Sequence, residues 1–124
     1  MIQLDVDLPD RPGEMGKILQ LLASEKINID AMSSNSGAGR SYVSLITDQP
    51  IRARQCLGKA GYECAQRTVI VVSLPDTPGS LAALARRLGE AGVDIQSVVQ
   101  LETMGDRVQL ALGVDNLDAA RSLV

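Results

Sequence analysis

The sequence contains one short segment twice, at a fixed separation. The hexapeptide LPDRPG at residues 8–13 returns 66 residues later as LPDTPG at residues 74–79. The likeness extends through residues 8–30 and 74–96, where apolar residues fall at the same positions. Such a repeat means that one structural unit occurs twice. We therefore expect two units, residues 1–68 and 69–124, with any binding site either present twice or formed between copies.

The first unit alternates between strand and helix patterns. Apolar and polar residues alternate over 2–8, which is typical of a strand with one buried face. An apolar stripe at helical spacing follows at Met15, Ile18, Leu19, Leu22 and Ala23. Further strands are predicted at 27–31, 42–47 and 62–67, and a second helix from Pro50. The segment 33–39, rich in serine and glycine, is predicted as a turn.

The same order of elements begins again at Val69 and continues to a helix that starts at Leu117. A repeated βαββαβ order predicts an α+β protein with two ferredoxin-like units, each an antiparallel sheet with its helices on one face. The sequence stops at Val124, before a counterpart of the strand at 62–67. The strand at 69–74 is therefore expected to have an open edge. We expect the natural chain to continue; the alternative is that a neighbour covers this edge.

The repeated turn carries the pattern Asp-x-Pro-Gly. Asp10 suits a helix N-cap and Pro12 the first helical turn, and these roles alone could explain the motif. A helix N-terminus also presents unpaired amides that attract carboxylates, and Gly13 leaves them accessible. With the Asp10 carboxylate beside them, the amides suit a zwitterion, and a free α-amino acid fits better than a phosphate. Asp76 and Gly79 are the corresponding residues of the second copy.

The start of the second strand, Asn28-Ile29-Asp30, is expected to abut this turn. Two interpretations stay open: its polar groups complete a pocket, or Asn28 only ends the helix and Asp30 only faces water. The second copy has Asp94-Ile95-Gln96 instead, so the two sites would not be chemically equal.

Composition excludes several kinds of chemistry. Histidine is absent, so no imidazole base, Ser-His dyad or histidine-containing zinc site is possible. Cys56 and Cys64 lack metal-ligand spacing and are interpreted as reduced thiols, with a redox pair as the alternative. No cofactor and no metal are expected.

Charge and hydropathy also limit the partners and the location. The formal net charge of −3 gives no general attraction for nucleic acid or anionic lipid. No segment approaches the ~20 apolar residues of a membrane span, and because Met1 is followed directly by a strand pattern, no signal peptide is expected. We expect a cytoplasmic protein that binds neither membrane nor nucleic acid.

The run at 8–35 resembles an ACT domain, a small-molecule regulatory module, and most closely the regulatory domains of aspartokinases. The shared features are a D-x-P-G turn, an apolar helix, an N-I-D segment and an asparagine five residues beyond it. They fall on Asp10, Pro12, Gly13, Asn28, Ile29, Asp30 and Asn35. The second unit carries the resemblance up to Val124. One departure is Ser34, where aspartokinase modules usually have glutamine.

The resemblance implies amino-acid binding where the first turn of one domain faces the second strand of another. Residues Asp10, Arg11, Pro12 and Gly13 would hold the head group of the amino acid, while Ile29, Asp30 and Asn35 would contribute from the strand. It also implies a non-catalytic regulatory protein that acts through dimerisation or on a separate enzyme or regulator. Because the two aliphatic cores are small and the edge at 69–74 is open, a homodimer or higher oligomer is expected. The identity of the amino acid does not follow from the residues.

Three alternatives compete with this interpretation. The first is an assembly module that binds no ligand. The second is an acylphosphatase-like enzyme using Arg11 with Asn28 or Asn35, which is disfavoured because Thr77 replaces Arg11 in the second copy. The third is a nucleic-acid-binding sheet, which would need exposed aromatic residues and a basic surface, whereas this chain has two tyrosines and a negative net charge.

Overall fold

The computed structural model describes all 124 residues and contains two compact units. Residues 2–67 form the first unit, and Met1 together with residues 68–124 forms the second. The first unit contains β1 (Ile2–Pro9), α1 (Glu14–Ser24), β2 (Ile29–Gly37), β3 (Arg40–Thr47), α2 (Pro50–Lys59) and β4 (Cys64–Thr68). The second contains β5 (Ile70–Pro75), α3 (Ser80–Glu90), β6 (Ile95–Met104), β7 (Arg107–Val114) and α4 (Leu117–Arg121). None of these helices has the length and apolar content needed to cross a membrane.

The first unit is a four-stranded sheet with both helices on one face. The strand order is β2-β3-β1-β4, and β3 runs antiparallel to both β1 and β2. Alternate residues of β1 pack with both helices in one aliphatic core, while Asp5 and Asp7 point to the other face. The core comprises Leu4, Val6, Leu8, Ile18, Leu22, Ile27, Val43, Leu45, Ala53 and Leu57. The ferredoxin-like α+β fold predicted from the sequence is confirmed.

The second unit repeats this arrangement with three strands, in the order β5-β7-β6. Its separate core comprises Ile70, Val72, Leu84, Leu88, Val93, Leu110, Leu112 and Ala120. Strand β5 pairs only with β7, so its other edge is open. The sequence predicted this open edge from residue 69, but the Val69 amide donates to Met1 O at 2.8 Å.

The predicted turn at 33–39 is confirmed only at residues 38 and 39 and is wrong for residues 33–37. Strand β2 continues to Gly37, and the loop to β3 consists of Ala38 and Gly39 alone. Both loop residues have positive φ, 53° and 76°, as a two-residue hairpin loop of type I′ requires. The serine-rich sequence resembles a loop, but pairing with β3 outweighs its weak strand propensity.

Helix α1 ends in a conformation that normally selects glycine. Lys26 has a φ of 57°, and the corresponding residue after α3 is Gly92 with a φ of 76°. The amide that follows donates to the last helical turn in both units, from Ile27 to Leu22 O at 3.0 Å and from Val93 to Leu88 O at 2.9 Å. The two helix ends therefore share one geometry, and only the first carries a side chain at this position.

We expect Lys26→Gly to raise the free energy of unfolding by about 0.5–1 kcal/mol, because the left-handed conformation costs a non-glycine residue more than glycine loses in chain entropy. Chemical denaturation measures the change. The reciprocal control, Gly92→Lys, should lower stability. Unchanged denaturation midpoints in both variants would contradict this explanation.

Candidate functional site

The turn between β1 and α1 is built in the same way in both units. In the first, the Asp10 amide donates to Gly39 O in the β2–β3 loop at 3.0 Å, and the Lys17 amide donates to Gly13 O at 3.0 Å. The second unit repeats these bonds, from Asp76 N to Asp106 O at 2.7 Å and from Ala83 N to Gly79 O at 2.9 Å. Each turn is thus held between its own helix and the neighbouring hairpin loop.

The N-cap of each helix is a glycine in the left-handed region. Gly13 has a φ of 88° and Gly79 a φ of 90°, and no side chain caps either helix. The predicted N-cap role of Asp10 is therefore wrong, since the chain reverses at Gly13 and α1 begins only at Glu14. Pro12 likewise precedes the helix. A Cβ at Gly13 would meet nothing within 4 Å, so the backbone conformation rather than space requires glycine here.

Three amides at each helix N-terminus have no acceptor within the protein. They belong to Gly13, Met15 and Gly16 in the first unit and to Gly79, Leu81 and Ala82 in the second. Because the N-terminus of a helix carries a partial positive charge, such a group of amides favours an anion.

The two turns differ in their charged side chains. In the first, the Glu14 carboxylate lies 3.0 Å from Arg11 Nη2 and 3.6 Å from Lys17 Nζ, and its side chain is only 12% exposed. In the second, the hydroxyl groups of Thr77 and Ser80 are 2.8 Å apart. The first turn therefore carries both signs of charge, whereas the second is polar but mostly uncharged.

The carboxylates of Asp10 and Asp76 occupy equivalent places beside the two turns. Both residues are exposed, and neither carboxylate accepts a hydrogen bond from the protein. Their negative charges are therefore available to a cationic group near the unpaired amides.

The structure separates Asn28, Ile29 and Asp30 from the turn of their own unit. Because β3 is antiparallel to both β1 and β2, these two strands run parallel, and α1 carries the chain back between them. The end of β1 and the start of β2 consequently lie at opposite ends of the sheet, roughly 25 Å apart over the length of β2. The expectation that this segment abuts the turn within one unit is wrong.

Asn28 and Asp30 have local partners at their end of the sheet. Asn28 Nδ2 donates to Asp30 Oδ1 at 2.8 Å, and the Asn28 amide donates to Asp48 Oδ1 at 2.9 Å. The Asp48 amide returns a bond to Asn28 O at 3.1 Å. The second unit repeats the backbone pair, from Asp94 N to Asp115 Oδ1 at 2.8 Å and from Asp115 N to Asp94 O at 3.2 Å. The repeated Asp48 and Asp115 thus join the start of one strand to the end of its neighbour.

We expect Asp48→Ala to lower the free energy of unfolding by about 1 kcal/mol, because an exposed charge-assisted hydrogen bond is lost. Asp115→Ala should cost a similar amount, and Asp48→Asn less, since the amide oxygen can still accept the bond. Urea denaturation would measure all three. Equal losses for Asp48→Ala and Asp48→Asn would show that this acceptor is unimportant.

Asn35 lies at the same end of the sheet as the turn, on the face away from the helices. It is opposite Tyr42 on β3, and Tyr42 is in turn opposite Asp7 on β1. Asp7 Oδ1 accepts a hydrogen bond from Arg40 Nε at 2.9 Å, and Tyr42 is 55% exposed. No sequence motif pointed to Asp7, Arg40 or Tyr42, although the strand alternation places all three on this face.

The two cysteines are free and half-buried, Cys56 on α2 and Cys64 on β4. Burial raises the pKa of the Cys64 thiol, with a smaller contribution from Asp5, while Arg54 opposes the shift. A raised pKa leaves less thiolate at neutral pH, so Cys64 should react slowly with alkylating reagents. No group of three acidic or cysteine side chains is arranged to hold a metal ion.

The chain matches one protein family and is similar to several solved structures. The sequence profile of the ACT domain pair matches residues 1–124. Protein BT0572 from Bacteroides thetaiotaomicron is 23% identical, with a TM-score of 0.87 over 98% of this chain and 84% of that one. The ligand-free regulatory subunit of aspartate kinase from Thermus thermophilus is 21% identical, with a TM-score of 0.72 over 98% and 89% of the two chains.

A third similar structure is the regulatory subunit of aspartate kinase from Thermus flavus, which is 22% identical. Its TM-score is 0.73, over 98% of this chain and 88% of that one. Among curated protein sequences, none matches this chain significantly. At these identities the comparisons show a shared fold and do not identify a ligand or a partner.

Proposed function

Because the chain belongs to the family of ACT domain pairs, we propose that it is a non-catalytic regulatory protein that binds a free α-amino acid at the β1–α1 turn. One observation carries the proposal. Each turn presents three unpaired amides beside an aspartate whose carboxylate has no partner in the protein. A ligand that carries a carboxylate and an ammonium group on the same carbon atom would satisfy both groups at once.

In the proposed complex the ligand carboxylate accepts hydrogen bonds from the amides of Gly13, Met15 and Gly16. The ligand ammonium group donates to Asp10, which pairs opposite charges in both places. Phosphate would satisfy the amides equally well, but the negative charge of Asp10 would repel it. Glu14 is the other carboxylate beside this turn. Arg11 Nη2 lies 3.0 Å from Glu14 Oε1 and would neutralise its charge.

Ile29, Asp30 and Asn35 enter the proposal from a second copy of the chain. Within one unit, the start of β2 is too far from the turn to touch the same ligand. In a homodimer or a higher oligomer, a β2 strand from another protomer can supply either Ile29 and Asp30 or Asn35 to one ligand, because Asp30 and Asn35 lie roughly 16 Å apart along the strand. The site would then be complete only in the assembly, so ligand binding and association would be coupled.

The first turn is proposed as the main site. It has charged groups of both signs and belongs to the unit with the full Asn28-Ile29-Asp30 segment, whereas the second turn has Thr77 and the segment Asp94-Ile95-Gln96. Asp76 and Gly79 would form a second, weaker site.

The regulated partner is proposed to be a separate enzyme in the cytoplasm. Two of the similar structures are regulatory subunits of aspartate kinase, which supports a protein that acts on a catalytic chain. The fold also suits a second candidate function, a module that assembles without a ligand. The open edge of β5, where Val71 is 42% exposed, favours that alternative.

A thermal-shift screen of the twenty amino acids separates the two candidates. A ligand that binds only the folded protein stabilises it by about 2.7 kcal/mol at a concentration of 100 times its dissociation constant. We expect one amino acid, or a few related ones, to raise the melting temperature in a saturable manner. Twenty flat responses at millimolar concentrations would favour the assembly module.

Oligomerisation has its own test. We expect light scattering at tens of micromolar protein to report a dimer or larger assembly, because small aliphatic cores and an open strand edge favour burial against another chain. A monomer both with and without the screened amino acids would contradict a site shared between protomers.

A further inference from the structure

The first unit has a second concave site, far from its β1–α1 turn. A groove of about 370 Å³ runs between the end of α1 and the length of α2. Its volume falls in the range of small-molecule sites, roughly 300–1,000 Å³. Its lining includes Leu21, Glu25, Ile27, Arg52, Cys56 and Lys59. All of these residues belong to the first unit, so the site is complete within it.

The floor of the groove is apolar. Ile27 is only 5% exposed, and Leu21 and Cys56 pack against the core of the unit. Apolar surface of this kind binds hydrocarbon through its removal from water.

The rim of the groove carries one cation that lacks a partner. Arg52 is fixed by Gln49 Oε1 at 2.6 Å, Glu25 O at 3.0 Å and Glu25 Oε2 at 3.3 Å, so Glu25 balances its charge. Lys59 lies two helical turns further along α2, about 10 Å from Arg52 at the helix axis. Its ammonium group makes no hydrogen bond or ion pair. The local excess charge is therefore positive, in a chain whose net charge is −3.

We propose that this groove binds an amphipathic monocarboxylic acid of medium chain length. Its carboxylate pairs with Lys59, and its hydrocarbon chain lies on Leu21, Ile27 and Cys56. The proposal goes beyond the amino-acid site, since it uses the opposite end of α1. The second unit does not repeat the groove chemistry, because Arg87 stands in place of Leu21 and Ala91 in place of Glu25.

Calorimetric titration of the whole chain with hexanoate, octanoate and decanoate tests the apolar floor. Each added methylene is expected to tighten binding about three- to fourfold until the floor is covered. Octylamine has the same chain and the opposite charge, and it should bind more weakly than octanoate. Affinity that is independent of chain length, or equal for the acid and the amine, would overturn the proposal.

Two variants test the cation. Lys59→Gln is expected to weaken octanoate binding about two- to fivefold, the upper part of the range for an exposed ion pair. The matched control is Arg54→Gln, also on α2, because Arg54 bonds to Gln66 at 3.2 Å and does not line the groove. It should leave the affinity unchanged. Equal losses in the two variants would show general charge attraction and overturn the assignment to Lys59.

The two cysteines locate the ligand. Cys56 lines the groove and Cys64 does not, so saturating octanoate should slow iodoacetamide alkylation of Cys56 several-fold and leave Cys64 unaffected. Peptide mass spectrometry reads both rates in one sample. Equal slowing at both thiols, or at neither, would place the acid elsewhere. Binding at the turn is measured separately, from the rise in melting temperature that an amino acid causes in the same preparation. Failure of the groove proposal can therefore be distinguished from failure of the amino-acid site.

Discussion

Truncation of Leu22 to alanine is expected to lower the free energy of unfolding by about 2–5 kcal/mol. Leu22 is 0% exposed and lies in the core that joins α1, α2 and the sheet of the first unit. That core contains no aromatic residue, so each leucine supplies a large part of the buried surface. The loss combines the transfer of the removed methyl groups with the cost of the remaining cavity. Urea denaturation followed by circular dichroism measures it.

The repeat provides a matched partner and a control. Leu88 occupies the corresponding position in the second unit and is also 0% exposed, so Leu88→Ala should cost a similar amount. Leu81, on the same helix as Leu88, is 41% exposed, and Leu81→Ala should change stability by less than about 1 kcal/mol. Similar losses at Leu22 and Leu81 would contradict the assignment of the cores.

Asp10→Asn is expected to weaken amino-acid binding by about 1.5–3 kcal/mol, the contribution of a hydrogen bond to a charged group. This corresponds to roughly a ten- to hundredfold rise in the dissociation constant. The Asp10 side chain neither caps α1 nor bonds to another residue, and the substitution leaves the backbone bond to Gly39 O in place, so folding stability should change by less than about 0.5 kcal/mol. Calorimetric titration and urea denaturation of one preparation give both values.

Asp76→Asn is the matched variant in the second turn. It should reduce affinity less than Asp10→Asn, because the first turn is proposed as the main site. Equal reductions at the two positions would indicate two equivalent sites. Lost stability with unchanged affinity at Asp10 would assign it a purely structural role.

The fold could be predicted from the sequence because its signals are local and repeated. Alternation in β1 and the helical stripe that contains Ile18 and Leu22 fix which faces are buried, and the second copy confirms both patterns. The predicted strand boundaries were less accurate where local composition and strand pairing favour different structures. The segment 33–39 has the composition of a loop, yet pairing with β3 makes most of it a strand.

The candidate site was harder to predict, because it depends on backbone geometry and on which strand ends meet. Asp-x-Pro-Gly identified the turn, but a proline after an aspartate suggested an N-cap at Asp10, whereas the left-handed Gly13 occupies that position. The sequence order of Asn28 after the helix suggested proximity to the turn. Parallel strands place such a segment at the far end of the sheet, and that follows from topology rather than from any residue pattern.

Binding of an amino acid at the β1–α1 turn should change the chemical shifts of the amides that form the turn. Nuclear magnetic resonance of the labelled protein would follow each amide during titration with the amino acid found in the thermal-shift screen. We predict the largest changes at Gly13, Met15 and Gly16, smaller changes at Gly79, Leu81 and Ala82, and saturation at the calorimetric dissociation constant. Saturable changes confined to other residues, with all six of these amides unmoved, would contradict the account.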